Sequence, residues 1–190
     1  MDKIKSMNEV KSFGKINLFL DVVGLYKNRY HKIKSLFIQS EIFDLIRVTN
    51  NDTNQIRVFT NVDIAPKDNL ITKTANLFIT SLGRMPFGVD FYLTKNIPIG
   101  GGMGGGSSNA ATILKILNSI WKARYSHQKL EKIGKLLGAD IPFFIRGGVQ
   151  KVGGIGDILT PLKTKKVNLQ MVLVKPTVSV FTQNAYQKID

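Results

Sequence analysis

Residues 98–121 read PIGGGMGGGSSNAATILKILNSIW, and six of the seven positions from Gly100 to Gly106 are glycine. Such a run carries a heavy cost in conformational entropy, so something must require a backbone without Cβ atoms. Phosphate binding supplies the reason. Glycines let successive N–H groups turn toward one anion, and a following helix adds its positive N-terminal end. The helix is legible from Asn109 to Trp121, with Ala110, Ile113, Leu114, Leu117 and Ile120 on one face. Ser107 and Ser108 stand where it begins, placed to cap it or to reach a phosphate or Mg²⁺. A flexible linker is the competing reading, but the tract lies between a strand and a helix rather than between domains. No Gly-Lys-Ser/Thr follows, which excludes a Walker A loop, and the dinucleotide fingerprint lacks its downstream acidic residue.

Working outward from the tract, Val89–Asn96 reads as the strand that leads into it, ending at Pro98. Upstream, Ser12–Val23 alternates apolar Ile16, Leu18, Leu20 and Val22 with Lys15 and Asn17 on the other face. Gly24–Tyr30 is a turn-rich loop, and His31–Ser40, Phe43–Val48 and Gln55–Val62 read as further strands. Helical spacing over Asp68–Leu82 predicts a helix with Asp68 as N-cap and Gly83 as its stop. A second predicted helix runs from His127 to Leu137, with Ser126 as N-cap and Gly138 as C′ residue. Phe143–Val152 and Leu169–Val174 read as strands, with Pro161–Lys166 as a linker. Strands come first and helices mix in later, which favours α+β over a regular βαβ alternation.

Composition sets outer limits. The 190 residues are 43% apolar and 21% charged, ordinary for a globular chain. There is no cysteine and there are two histidines, His31 and His127, which excludes disulfide scaffolds, thiolate metal sites, cysteine nucleophiles and histidine-rich metal centres. No stretch is apolar enough to span a bilayer, and Met1–Lys15 lacks the apolar core of a secretory signal, so a cytoplasmic location is expected. The net charge of +14 raises nucleic acid as a partner. Yet the basic residues are spread along the chain, and its 21 Lys, 21 Ile and 14 Asn are the residues of AT-rich codons. Genomic bias therefore explains the charge better than nucleic-acid binding does.

The pattern P-x-G-G-G-x-G-G-G-S-S-N-A-A resembles the GHMP kinases (galactose, homoserine, mevalonate and phosphomevalonate kinases). Gly14–Leu20 (GKINLFL), Tyr30-His31 and Leu137–Pro142 (LGADIP) resemble three further motifs of the same family. The resemblance implies a ribosomal protein S5 domain 2-like α+β sandwich over residues 1–166, the N-terminal ATP-binding domain, with residues 167–190 beginning a ferredoxin-like C-terminal domain. It implies ATP-dependent phosphorylation of a hydroxyl of a small cytidine diphosphate substrate, a methylerythritol derivative on the non-mevalonate route to isoprenoid precursors. ATP with Mg²⁺ is the expected cofactor set, and no metal site built by the protein alone is expected. Asp140 would be the general base and Lys15 its catalytic partner. Pro98, Ile99, Gly100, Gly101, Gly102, Met103, Gly104, Gly105, Gly106, Ser107 and Ser108 would bind the ATP phosphates. Asn17, Tyr30, His31, Thr182 and Tyr186 would bind the cytidine-bearing substrate. Neither nucleic acid nor membrane is an expected partner.

Three departures from the family pattern stand out. Arg29 occupies the usual glycine position before Tyr30-His31, Phe181 replaces a proline, and the third glycine motif of the longer family members has no counterpart before Asp190. The expectation is an N-terminal domain with the first strand and start of a helix of the next. A separate chain supplying the remainder is the partner such a fragment would need. An inactive fragment, or an RNA-binding module of the same fold, is the alternative function.

Taken without the resemblance, several of these residues have plainer roles. Asp140 fits an N-cap as well as a base, since Gly138 ends one helix and Pro142 can open another. Lys15 fits a solvated strand lysine, Tyr30 a loop aromatic packed on the core, and His127 a surface residue at a helix start. The residues alone leave both readings of Asp140 open.

Overall fold

The computed structural model describes residues 9–63, 69–163 and 169–176. Two long strands form its spine: β1 (Val10–Leu25) and β2 (His31–Asn51), paired antiparallel over most of their length. The opposite edge of β2 carries two partners in tandem. β4 (Gly88–Thr94) pairs with Leu45–Asn51, and β5 (Val149–Gly153) with Ser35–Ile38. β3 (Ile56–Thr60) runs parallel to β4, and β6 (Ile158–Pro161) closes the sheet beside β5. The helices are α1 (Leu70–Leu82), α2 (Gly105–Ile120), α3 (His127–Lys135) and α4 (Ile141–Arg146). Helices and sheet share one core, in which Phe78, Phe91, Phe143, Ile46, Ile113, Leu114 and Leu117 are fully buried. The α+β expectation holds.

The two strands expected at His31–Ser40 and Phe43–Val48 are one. The register shifts between Phe13–Phe43 and Lys15–Gln39, so that Ser40–Ile42 bulge opposite Gly14. The helix at 70–82 is capped by Asn69, whose Oδ1 accepts from the Ile71 N–H at 3.0 Å; Asp68 lies outside the described residues. Gly83 ends it as expected, in left-handed conformation (φ 74°) with its N–H on the Ile79 carbonyl. Ser126 caps α3 through the Lys129 N–H, but that helix closes at Leu136, before Gly138, which is not left-handed.

Two strand expectations fail. Phe143–Val152 divides into the short helix α4, opened by Pro142 in its first turn, and β5, which starts after left-handed Gly147 and Gly148. A buried apolar run does not tell helix from strand by periodicity. Leu169–Val174 has no regular secondary structure.

Candidate functional site

The glycine tract leaves β4 and enters α2 through a chain of left-handed residues: Gly100, Gly102 and Gly104 have φ of 70°, 71° and 67°. Alternation of this kind gathers backbone N–H groups around one concavity. Not every glycine is needed for the same reason. At Gly104 a Cβ would lie 2.8 Å from the Phe144 ring and 3.4 Å from Lys15 Cγ, so close packing adds to the φ requirement. At Gly105 it would meet Ile97 and the Lys95 ammonium, both at 3.0 Å. Gly106 has ordinary room for a Cβ.

Met103, the single side chain within the run, is buried and anchors it. Its methyl group reaches toward Gly14, and its carbonyl accepts the Lys15 N–H at 2.9 Å. The loop is thus hydrogen-bonded to the backbone of the lysine expected to act in catalysis.

Helix α2 begins at Gly105, four residues earlier than its apolar face suggests, with Gly104 as N-cap and no acidic residue in its first turn. Its positive end therefore lies within the tract. The tract from Pro98 to Ser107 lines a cleft of about 600 Å³, completed by Asp63, Asn69, Leu70, Ile71, Leu93, Lys95, Ile97 and Asn109. Ser107 belongs to this wall. Ser108 is buried, and its hydroxyl donates to the Phe13 carbonyl (2.6 Å) and pairs with Ser12 Oγ (2.8 Å). Its side chain ties α2 to β1 and takes no part in the cleft wall.

Lys15 is only 6% exposed. Its ammonium donates to Asn17 Oδ1 at 2.7 Å, stands 3.9 Å from Asp140 Oδ2, and lies 4.4 Å from the centre of the Phe37 ring. Burial lowers its pKa below the ordinary lysine value, an effect partly offset by the Asp140 charge. Asp140 occupies the N-cap position of α4, yet its side chain makes no capping hydrogen bond and stays one-third exposed. The carboxylate faces the lysine while the backbone starts the helix, so Asp140 is an N-cap by position and not by its side chain.

Asn17 joins this centre directly, whereas Tyr30 and His31 lie at the far end of the β1–β2 hairpin. His31 pairs with Leu25, eight β2 residues from Gln39, the partner of Lys15. At ~3.3 Å per residue that is at most about 26 Å along the strand. Tyr30 is 59% exposed. Thr182 and Tyr186 lie outside the described residues.

Sequence reasoning missed a buried polar group behind the loop. Asp44, fully buried on β2, pairs with Lys95 and is joined by Asn109. A signal was present: Asp44 is in phase with Ile46 and Val48, both on the core face of the strand.

Residues 69–148 match the GHMP kinases N terminal domain. The chain is 39% identical over 184 residues to the 4-diphosphocytidyl-2-C-methyl-D-erythritol kinase of Alkaliphilus metalliredigens, covering 96% of this chain and 62% of that protein. It is 38% identical over 183 residues to the kinase of the same name from Colwellia psychrerythraea, at 96% and 60% coverage. The chain thus spans about 62% of the length of such relatives. A crystal structure of 4-(cytidine 5'-diphospho)-2C-methyl-D-erythritol kinase superposes with TM-score 0.71 and 32% identity, over 82% of this chain and 55% of that one. The Methanococcus jannaschii mevalonate kinase shares the fold at TM-score 0.65 and 13% identity, over 85% of this chain and 57% of that one. Among the described residues no helix is long and apolar enough to cross a membrane.

Proposed function

We propose that the chain is a GHMP kinase that transfers the γ-phosphoryl group of ATP to a hydroxyl of 4-(cytidine 5'-diphospho)-2-C-methyl-D-erythritol, a reading supported by the match of residues 69–148 and by the similarity to kinases of that name. The observation that carries the reading is the placing of the Lys15–Asp140 pair against the glycine loop, through the Lys15 N–H bond to Met103 and the close approach of Gly104.

The cleft fits the nucleotide. Its left-handed glycines and the open end of α2 suit a polyphosphate, and Asn69, Leu70 and Ile71 line the region beside it. Asp140 accepts the proton of the substrate hydroxyl as its oxygen bonds to the γ-phosphorus and the bond to the β-phosphate bridging oxygen breaks. Lys15 holds that carboxylate in place and stabilises negative charge on the attacking oxygen. Asn17 fixes the lysine by accepting one of its three protons.

The described residues contain no group of three or more His, Cys, Asp or Glu that could hold a metal ion. A Mg²⁺ ion bound with the nucleotide would find the Ser107 hydroxyl as a donor in the cleft wall, and it would supply neutralisation of phosphate charge.

The test is ADP formation with ATP and the cytidine diphosphate substrate. Asp140→Asn should lower kcat by ~10²–10⁴ with only a modest loss of thermal stability, because the carboxylate makes no capping bond and what is lost is its charge beside Lys15. Full activity in Asp140→Asn overturns the mechanism. RNA binding that collapses with salt, without ATP binding, would favour the RNA-module alternative.

A further inference from the structure

We propose that Asp44 is the positioning residue of the glycine loop, one buried carboxylate that fixes both ends of the tract at once. Oδ1 accepts the backbone N–H groups of Asn96 (2.7 Å) and Ile97 (2.8 Å). Those two residues follow the last ladder position of β4, Thr94, and lead into Pro98. Oδ2 accepts from Asn109 Nδ2 at 2.9 Å, just after Ser108 on α2, and from the Lys95 ammonium. Lys95 also donates to Asn109 Oδ1 at 3.1 Å, and Asn109 Nδ2 to Ser12 Oγ at 3.0 Å.

Four donors therefore fill the four lone-pair sites of one carboxylate. The residues that supply them flank the tract 98–108 on both sides.

A buried ion pair is weak evidence for stability as such, since desolvation offsets the Coulomb attraction. Asp44 is 0% exposed and Lys95 nearly so. The arrangement makes better sense as a device for shape. A glycine-rich segment has many accessible backbone states. Fixing residues 96, 97 and 109 to a single rigid strand position restricts that freedom from both sides while the Asp44 side chain itself stays out of the cleft. The Met103–Lys15 bond then holds the middle. The pairing also neutralises Lys95. Its ammonium lies beneath Gly105 in the first turn of α2, where a lone cation would oppose the helix dipole, and the Asp44 charge cancels it.

The consequence for nucleotide affinity rests on the reading of the cleft given above, whereas the consequence for loop order does not. The test is amide hydrogen exchange with calorimetric ATP titration on the 190-residue chain. Asp44→Ala should accelerate exchange over residues 96–106 by about tenfold or more, leave Val149–Gly153 as in wild type, and weaken ATP binding by about tenfold. Asp44→Asn keeps one oxygen for Asn96 and Ile97 but turns an amide donor toward Lys95 and Asn109, so its loop exchange should fall between.

Adding Lys95→Met to Asp44→Asn should bring loop exchange back toward wild type, because the unpaired cation is gone. This pair of variants decides the matter by the same readout if Asp44→Ala does not fold. Unchanged loop exchange, or equal acceleration in Val149–Gly153, overturns the positioning role. Wild-type chain that binds no ATP but shows the localised exchange pattern overturns the nucleotide reading and leaves the positioning role standing.

Discussion

The two ends of the proposed reaction are built in opposite ways. The glycine loop is held by internal contacts, since Met103 is buried, Gly104 fits under Phe144 and Asp44 holds both flanks, while Ile99 to Gly102 stay exposed. The far end of the β1–β2 hairpin presents Leu25, Tyr26 and Tyr30 to the surface. A loop that receives polyphosphate must hold several N–H groups in place beforehand, because ordering them on binding would consume the affinity gained. A hairpin that receives a flat base needs only rings and room. On the proposed reading, the contrast separates a preorganised site from a presented one.

The largest expected effect tests that separation. Gly104→Val places a β-branched side chain at φ 67° and its Cβ within 2.9 Å of two Phe144 ring atoms. ATP affinity should fall by about 100-fold or more. Tyr30→Ala removes an exposed ring instead. It should leave ATP affinity within about twofold while raising the KM for the cytidine diphosphate substrate about tenfold, the usual worth of one aromatic stacking contact. Equal effects of Tyr30→Ala on both ligands would break the comparison, because the hairpin would then be part of the nucleotide site or of the fold as a whole.

The same contrast explains what can be read from sequence. The glycine tract, the helix that follows it and the α+β order are legible because each rests on local rules, an entropy cost or a periodicity. Asp140 is legible only as two competing roles, and its side-chain direction decides against a side-chain cap. Asp44 escapes because its partners are Lys95, Asn96, Ile97 and Asn109, all more than 50 residues away. Phe143–Arg146, the last four residues of α4, read as the start of a strand because a buried apolar run has no visible period. Gly14 shows in the sequence only as part of a motif. Its structural role, leaving room at a β-bulge for Met103, depends on a contact between residues far apart in the chain.

Lys15 provides a sharper test at the boundary between the two regions. Its pKa is lowered by burial, with Asp140 acting in the opposite direction, so the native state holds its proton less tightly than the unfolded chain does. Between the lowered native value and the ordinary value of 10.5, the unfolded state binds more protons, and this group's contribution to stability improves as pH rises. At pH values below that window the full cost of burying the ammonium is present. Lys15→Met removes the cost of burying the ammonium together with its contacts to Asp140 and Asn17, so its stability relative to wild type should be most favourable at neutral pH, while activity is lost. That difference should become less favourable as pH climbs toward 10.5, where wild type no longer carries the buried charge. Thermal melts of both proteins across neutral to alkaline pH check the sign. A difference that becomes more favourable as pH rises would mean that the Asp140 and Asn17 contacts outweigh burial.

The smallest effect sets Gly104 against Arg29. Both take nearly the same left-handed backbone, φ 67° and 62°, but only one is glycine. Arg29 sits in the exposed hairpin turn, where its N–H reaches the Tyr26 carbonyl at 2.9 Å and the Tyr26 N–H reaches the Tyr30 carbonyl at 2.8 Å. The left-handed conformation costs a side-chain-bearing residue roughly 1–2 kcal/mol. Glycine avoids that cost but loses about 0.5–1 kcal/mol more backbone entropy on folding. Arg29→Gly should thus stabilise the protein by about 0.5–1 kcal/mol, a Tm increase of roughly 1–4 °C for a chain of this size. ATP affinity should not change, since the turn lies at the opposite end of the hairpin from the loop. The open surface of the turn is what lets arginine persist there, with backbone strain as the main cost. At Gly104 the same φ is combined with the Phe144 ring, and no side chain fits. A Tm that falls in Arg29→Gly would show that the arginine side chain contributes more to the turn than its backbone strain removes, and that the two left-handed positions obey different rules after all.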